Sequence, residues 1–139
     1  MIYLLYDLLL TLASLVYLPF YALRGRVHGA ILTRLGFFRK GYFDALRGKN
    51  VVWIHAVSVG EARAAESLVQ LVRQYWPDKK IALSAVTPTG YLILKKIATD
   101  TEIVFYAPLD ISWVVKKFLK LIQPWLLIIM ETELWPNLI

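Results

Sequence analysis

Glu61 stands where packing has little use for a carboxylate. The stretch "VVWIHAVSVGEARAAESLVQLV", Val51 to Val72, opens as an apolar run of strand type and continues with a helical period; His55, Ser58, Gly60 and Glu61 crowd the turn between them. A carboxylate there can accept a proton from a substrate hydroxyl. It can also serve the helix alone. Ser58 and Glu61 complete an S-x-x-E capping box, and a first-turn acid complements the helix dipole by roughly 0.3 to 1 kcal/mol. Gly60 tilts the balance toward chemistry, because a first-turn glycine costs helix stability and is useful where a ligand must come close to the backbone. His55 alternates onto the same face as Trp53 and Val57, and reads more readily as a hydrogen-bonded core residue than as a catalyst.

Three further polar clusters follow apolar runs: "TPTG" at Thr87 to Gly90, "PLD" at Pro108 to Asp110 and "ETE" at Glu131 to Glu133. Thr87, Thr89 and Gly90 at a helix start would suit an anionic group, through free N–H groups and hydroxyls, or would simply cap. Asp110 reads as the N-cap of the next helix. Glu131 directly ends an apolar strand, and since a buried unpaired carboxylate is expensive it should have a cationic or hydroxyl partner. There is no G-x-G-x-x-G after the first strand and no G-x-x-x-x-G-K-[ST], which disfavours dinucleotide and P-loop sites. "AVSVG" lacks the G-x-S-x-G elbow, two histidines without H-E-x-x-H disfavour zinc, and the absence of cysteine removes thiolate chemistry.

The elements that must position these residues are strands at "VVWIHAV", "IALSAV", "EIVFYAP" and "WLLIIM". Between them Ala65, Leu68, Val69, Val72 and Trp76 recur at helical spacing. So do Val114, Val115, Phe118, Leu119 and Ile122, with Lys116, Lys117 and Lys120 opposite; "PTGYLILKKIA" makes a shorter middle helix. Strands alternating with helices predict an α/β fold, a Rossmann-like parallel sheet with flanking helices. In such a sheet all strand C-termini share one edge, so the four polar clusters should converge there.

At 139 residues there is material for one domain and little more. The formal charge of +6 and a pI near 9.6 ask for an anionic partner, and 58% hydrophobic residues point to a membrane surface rather than nucleic acid. Ile2 to Leu23 is almost continuously apolar and fits a membrane anchor, spanning or lying in the interface; Asp7 weighs against a clean span. No basic region precedes it, which disfavours a signal peptide. The segment after it carries Arg24, Arg26, Arg34, Arg39, Lys40, Arg47 and Lys49 against Asp44 alone, with Phe37, Phe38, Tyr42 and Phe43. That is a basic, aromatic collar expected on the cytoplasmic side.

"WIHAVSVGEARAA", "TPTGY", "FYAPLD" and "ETELWPN", in this order behind an apolar N-terminus and "RLGFF", resemble the N-terminal half of the 3-deoxy-D-manno-octulosonic acid (Kdo) transferases. The resemblance implies the acceptor-binding domain of a GT-B glycosyltransferase. Such an enzyme moves Kdo from CMP-Kdo to a lipid A precursor in lipopolysaccharide assembly, at the cytoplasmic face of the inner membrane, with inversion and with no metal or cofactor. It implies Glu61 as general base, with Ser58, Gly60, His55, Thr87, Thr89, Gly90 and Glu131 around the acceptor cleft. Arg34, Arg39 and Lys40 become candidates for membrane or phosphate contact. The expected division is an anchor helix over 1–23, a membrane-proximal segment over 24–49 and a Rossmann-like domain over 50–139 that stops short, the donor domain being absent. Two alternatives stay open: another membrane-bound GT-B glycosyltransferase, which should carry a glycine-rich loop after the first strand, and a non-enzymatic membrane-anchored binding module.

Overall fold

Val51, Val52, Trp53, Ile54, His55 and Ala56 are all buried, and they form the central strand β1 (Val51–Ala56). In the computed structural model, which describes residues 2–23, 29–130 and 135–139, β1 pairs in parallel with β2 (Lys80–Ala85) on one side and β4 (Pro124–Ile129) on the other. Strand β3 (Ile103–Tyr106) pairs with β2, giving the order β3-β2-β1-β4. All four expected strands are present and all run in parallel. The chain forms two compact units: Arg39–Ala107 with Leu119–Glu133, which holds the sheet, and Met1–Phe38 with Pro108–Phe118 and Leu134–Ile139.

In the sheet unit, β1 leads into helix α3 (Val59–Tyr75) and β2 into α4 (Pro88–Ile97). Side-chain alternation sorts β1 into two faces. Val52, Ile54 and Ala56 join Ala65, Val69 and Val72 of α3, Ile81 and Leu83 of β2 and Leu94 of α4 in one apolar cluster. Burying each of the larger aliphatic side chains contributes roughly 1.5 to 3 kcal/mol. On the other face Trp53 meets Phe105 at 5.5 Å between ring centroids, and Phe105 meets Phe43 edge-on at 5.3 Å. Arg73 of α3 donates two bonds to Glu102 ahead of β3, at 2.8 and 2.7 Å, and one to the Ile97 carbonyl at 2.9 Å, which ties three elements together. Strand β4, at the edge of the sheet, is only half-buried or exposed.

In the other unit, α1 (Ile2–Leu23) is a 22-residue helix and α2 (Gly29–Arg34) a short one. Helix α1 is ordered by polarity in the reverse of the usual sense. Leu5, Leu8, Leu9, Leu12, Leu15 and Val16 are 51 to 71% exposed, whereas Tyr6, Asp7, Leu10, Thr11 and Ser14 are half-buried. Tyr6 donates its hydroxyl to Asp110 at 2.9 Å. Asp7 accepts the backbone N–H of Ser112 at 3.1 Å and the side-chain amide of Asn137 at 2.8 Å. The acid that counted against a clean span thus has an intramolecular use. Among the described residues no helix is long and apolar enough to cross a membrane. Helix α5 (Ser112–Ile122), which belongs to this unit as far as Phe118, buries Val114, Val115, Phe118 and Ile122 and exposes Lys116, Lys117 and Lys120, as its periodicity predicts.

Candidate active site

Order β3-β2-β1-β4 places a topological switch between β1 and β4: the chain steps outward from β1 through β2 to β3, then returns across the sheet to the far side of β1. Ligands of open α/β sheets bind outside the strand carboxyl ends at such a point. The loop leaving β1 there is Val57-Ser58, and α3 starts immediately after it.

The capping box forms in full. Ser58 Oγ accepts the Glu61 N–H at 3.2 Å, while the Glu61 carboxylate accepts the N–H of Val57 at 2.7 Å on Oε2 and that of Ser58 at 2.9 Å on Oε1. Glu61 is 7% exposed. Burial is the largest single influence on its carboxyl and pushes the pKa up. The N–H of Val57, the bonds with Ser58 and the positive charge that His55 can carry together outweigh it, so the carboxyl is held below the ordinary glutamate value. The result is an ionised, immobilised carboxylate. Each of its oxygens accepts one backbone bond and keeps a second lone pair for another donor. Beside it Gly60 is exposed, and a Cβ built there would find its nearest neighbour, Ser58 Oγ, at an ordinary 3.8 Å. The fold leaves open space at this position without needing it.

The second loop behaves similarly at its cap and differently at its glycine. Thr87 Oγ1 accepts the N–H of Gly90 at 3.1 Å, and Pro88 occupies the first helical position, where no N–H is missed. A Cβ on Gly90 would meet Thr87 Oγ1 at 3.0 Å, Ala85 Cβ at 3.4 Å and the Ser58 carbonyl oxygen at 3.6 Å. Gly90 is therefore where the β2–α4 turn abuts the β1–α3 turn. Thr89, next to it, is exposed. Met130 N–H bonds to the His55 carbonyl at 3.0 Å, so the chain leaves β4 beside the end of β1. Glu131 itself lies outside the described residues.

His55 is buried, with Nδ1 2.9 Å from Ser84 Oγ, and Ser84 also accepts the Trp53 indole N–H at 2.8 Å. This matches the hydrogen-bonded core reading of the histidine. Ser84 was not singled out in the sequence, although a serine within the run "IALSAV" was a usable signal of a buried polar link. Nor were Tyr91 and Tyr106, whose rings stack at 4.5 Å with only 8° between planes; ring contacts leave no trace in sequence spacing.

Asp110 departs from its expected role. It is buried in the smaller unit, where its carboxylate accepts from Tyr6 and from the Asn137 N–H at 3.2 Å, and its carbonyl accepts from the Asn137 side chain at 2.6 Å. The first N–H of α5 is capped instead by Asp7, from more than a hundred residues away. Burial, then the bond to Asp110 and the charges of Asp110 and Asp7, push the Tyr6 phenol up to about 12, so Tyr6 remains a donor. Arg34 ends α2 half-buried, with burial pulling its guanidinium pKa down, and Arg39 and Lys40 are exposed.

The family model described as "3-Deoxy-D-manno-octulosonic-acid transferase (kdotransferase)" matches residues 30–139. A 3-deoxy-D-manno-octulosonic acid transferase of Haemophilus influenzae is 39% identical over 114 residues, covering 82% of this chain and 26% of its own length. A bifunctional glycosyltransferase/methyltransferase of Fusobacterium nucleatum is 36% identical over 96% of this chain and 20% of its own length. A 3-deoxy-D-manno-octulosonic acid transferase of Rickettsia felis is 34% identical over 67% of this chain and 20% of its own. The chain spans a fifth to a quarter of the length of these curated relatives. On its fold, its four motif blocks and a match over most of its length, the chain belongs to the 3-deoxy-D-manno-octulosonic acid transferase family.

Proposed function

We propose that this chain supplies the acceptor-binding side of a Kdo transferase that moves Kdo from CMP-Kdo to a lipid A precursor, with Glu61 as general base. One observation carries the reading: a buried carboxylate at the switch point, oriented by two backbone N–H bonds and flanked by a glycine the fold does not require. In the reaction the acceptor hydroxyl gives its proton to Glu61 while its oxygen bonds to the anomeric carbon of Kdo. The bond from that carbon to the CMP phosphate oxygen breaks, CMP departs with the electron pair, and the configuration inverts. A low carboxyl pKa keeps Glu61 ionised at neutral pH, and the hydroxyl becomes acidic enough to release its proton as the new C–O bond forms. Ser58 positions the base; Thr87, Thr89 and Gly90 line the neighbouring turn, His55 supports the strand end, and Glu131 is assigned to the acceptor cleft on the resemblance alone. In this reading no metal or cofactor takes part.

The exposed leucines of α1 support association with a membrane, and the basic, aromatic segment after it together with the family resemblance favours the cytoplasmic face of the inner membrane. The helix lies in the interface rather than across it, because its polar side is occupied by Asp110, Ser112 and Asn137. The deciding experiment is Kdo transfer from CMP-Kdo to a tetraacylated lipid A precursor by the full-length gene product, wild type against Glu61→Gln. Transfer by the wild type and a loss of about 10² to 10⁴ in kcat for a folded Gln variant would support the reading. An inert wild type, or a Gln variant of near wild-type activity, would leave Glu61 as a helix cap only.

A further inference from the structure

Helix α1 contributes to a cavity as well as to an exposed apolar face. A space of about 180 Å³ is lined by Ser14 and Tyr17 of α1, Ile31 and Arg34 of α2, and Leu109, whose N–H bonds to the Arg34 carbonyl at 3.0 Å. Water occupies about 30 Å³ per molecule in the liquid, so the space takes a phosphate group with its ester oxygens and little more. Among the described residues its polar lining is a guanidinium and two hydroxyls, all able to donate, with no carboxylate. A guanidinium has five N–H donors in a planar fork, enough to keep a partner within the protein and bind a phosphate as well. Within one turn of Ser14 and Tyr17 the same helix presents Leu12, Leu15 and Val16 outward. A ligand in this cavity therefore sits where an apolar surface meets a polar one, which is the level of a lipid headgroup.

We propose that the cavity between α1 and α2 is a headgroup site for an anionic phospholipid. The Arg34 fork and the Ser14 and Tyr17 hydroxyls take the phosphodiester, Ile31 and Leu109 take the first methylene groups, and the leucines of α1 enter the acyl layer alongside. The inference rests on the membrane association proposed above and adds a defined pocket to it. The bound lipid is a structural neighbour, separate from the lipid that accepts the sugar.

The test uses the full-length protein and vesicles of phosphatidylcholine alone or with phosphatidylglycerol. Binding of the wild type to the neutral vesicles reports the leucine face; its failure would overturn the membrane reading itself and this site with it. The wild type should bind phosphatidylglycerol vesicles more tightly than neutral ones. Arg34→Lys keeps the charge and loses the fork, and Ser14→Leu fills the space. Each should weaken binding to phosphatidylglycerol vesicles about tenfold, as expected for losing a charge-assisted bidentate contact, with neutral vesicles bound as before. Thermal melts check that both variants fold, and either one suffices. If folded variants bind phosphatidylglycerol vesicles like the wild type, the attraction is diffuse and the site does not exist. A loss seen only with vesicles carrying the lipid A precursor would assign the pocket to the acceptor. Stabilisation of the wild type by millimolar inorganic phosphate, abolished in Arg34→Lys and with no phosphatidylglycerol preference, would make free phosphate the ligand. Each of these last two outcomes also overturns the proposal.

Discussion

Glu61 and Asp110 are both buried carboxylates satisfied by hydrogen bonds, yet they are held by opposite means. Among the described residues, the bonds to the Glu61 carboxylate come from within four residues of it, from Val57 and Ser58. Asp110 is held by Tyr6, 104 positions earlier, and by Asn137, 27 positions later. A carboxylate fixed by its sequence neighbours keeps its geometry whenever its helix is formed, which is what a base poised for a reaction needs. One fixed by distant groups works as a fastener: it holds segments together, and its removal is felt as lost stability. Burial and satisfaction alone do not mark a functional acid; the origin of its partners separates the two roles.

The contrast can be broken most forcefully at Glu61. Glu61→Gln should cost about 10² to 10⁴ in kcat but less than about 1 kcal/mol in stability, since glutamine also completes a capping box. Urea denaturation beside the activity assay gives both numbers. Asp110→Ala should reverse the pattern. It should destabilise by about 2 kcal/mol, because the half-buried Tyr6 hydroxyl and Asn137 N–H lose their acceptor, while kcat per folded molecule changes little. Ser58→Ala should cost about 1 kcal/mol as a lost N-cap. It should also move the acidic limb of the kcat profile to higher pH, because Ser58 is one of the groups holding the Glu61 pKa down.

The pH dependence of stability sharpens the same point. The folded pKa of Glu61 lies below its unfolded value, so its stabilising contribution is complete above the unfolded value of about 4.3 and is lost as pH falls through the folded one. The difference in melting temperature between wild type and Glu61→Gln should be constant from pH 7 to about 5.5 and shrink below that. The smallest effect is expected at Gly60→Ala: unchanged or raised stability, by at most about 1 kcal/mol, given the 3.8 Å clearance, with a higher KM for the acceptor. An unchanged KM would mean that no substrate approaches this backbone.

Much of the sheet unit was legible because its determinants are local or periodic. Apolar runs of strand length, helical repeats such as Ala65, Val69 and Val72, and the S-x-x-E box are written within a few residues of where they act, and the structure realises each of them. Asp110 was misread for the complementary reason. A proline two residues ahead and a helix just behind are the local signs of an N-cap, but the cap comes from Asp7 and no local pattern announces it. The reversed polarity of α1 was likewise hidden. A run of leucines reads as an anchor whichever side they face, and only the partners of Tyr6 and Asp7 decide the direction. Ser84 was legible in principle as the polar residue in an apolar strand, and its two partners on β1 explain why it is tolerated there.

The distances in sequence also set an order of events during synthesis. The capping box around Glu61 closes over three or four residues and can form as α3 nucleates, on a timescale of about a microsecond. Tyr6 and Asp7 must wait for residues 104 to 130 positions downstream. At about 5 to 20 residues per second that interval is roughly 5 to 25 seconds. Throughout it α1 has emerged with its leucines exposed and with Tyr6 and Asp7 still without their downstream partners. The nascent helix thus has seconds in which to find an apolar surface before the protein closes on its polar side.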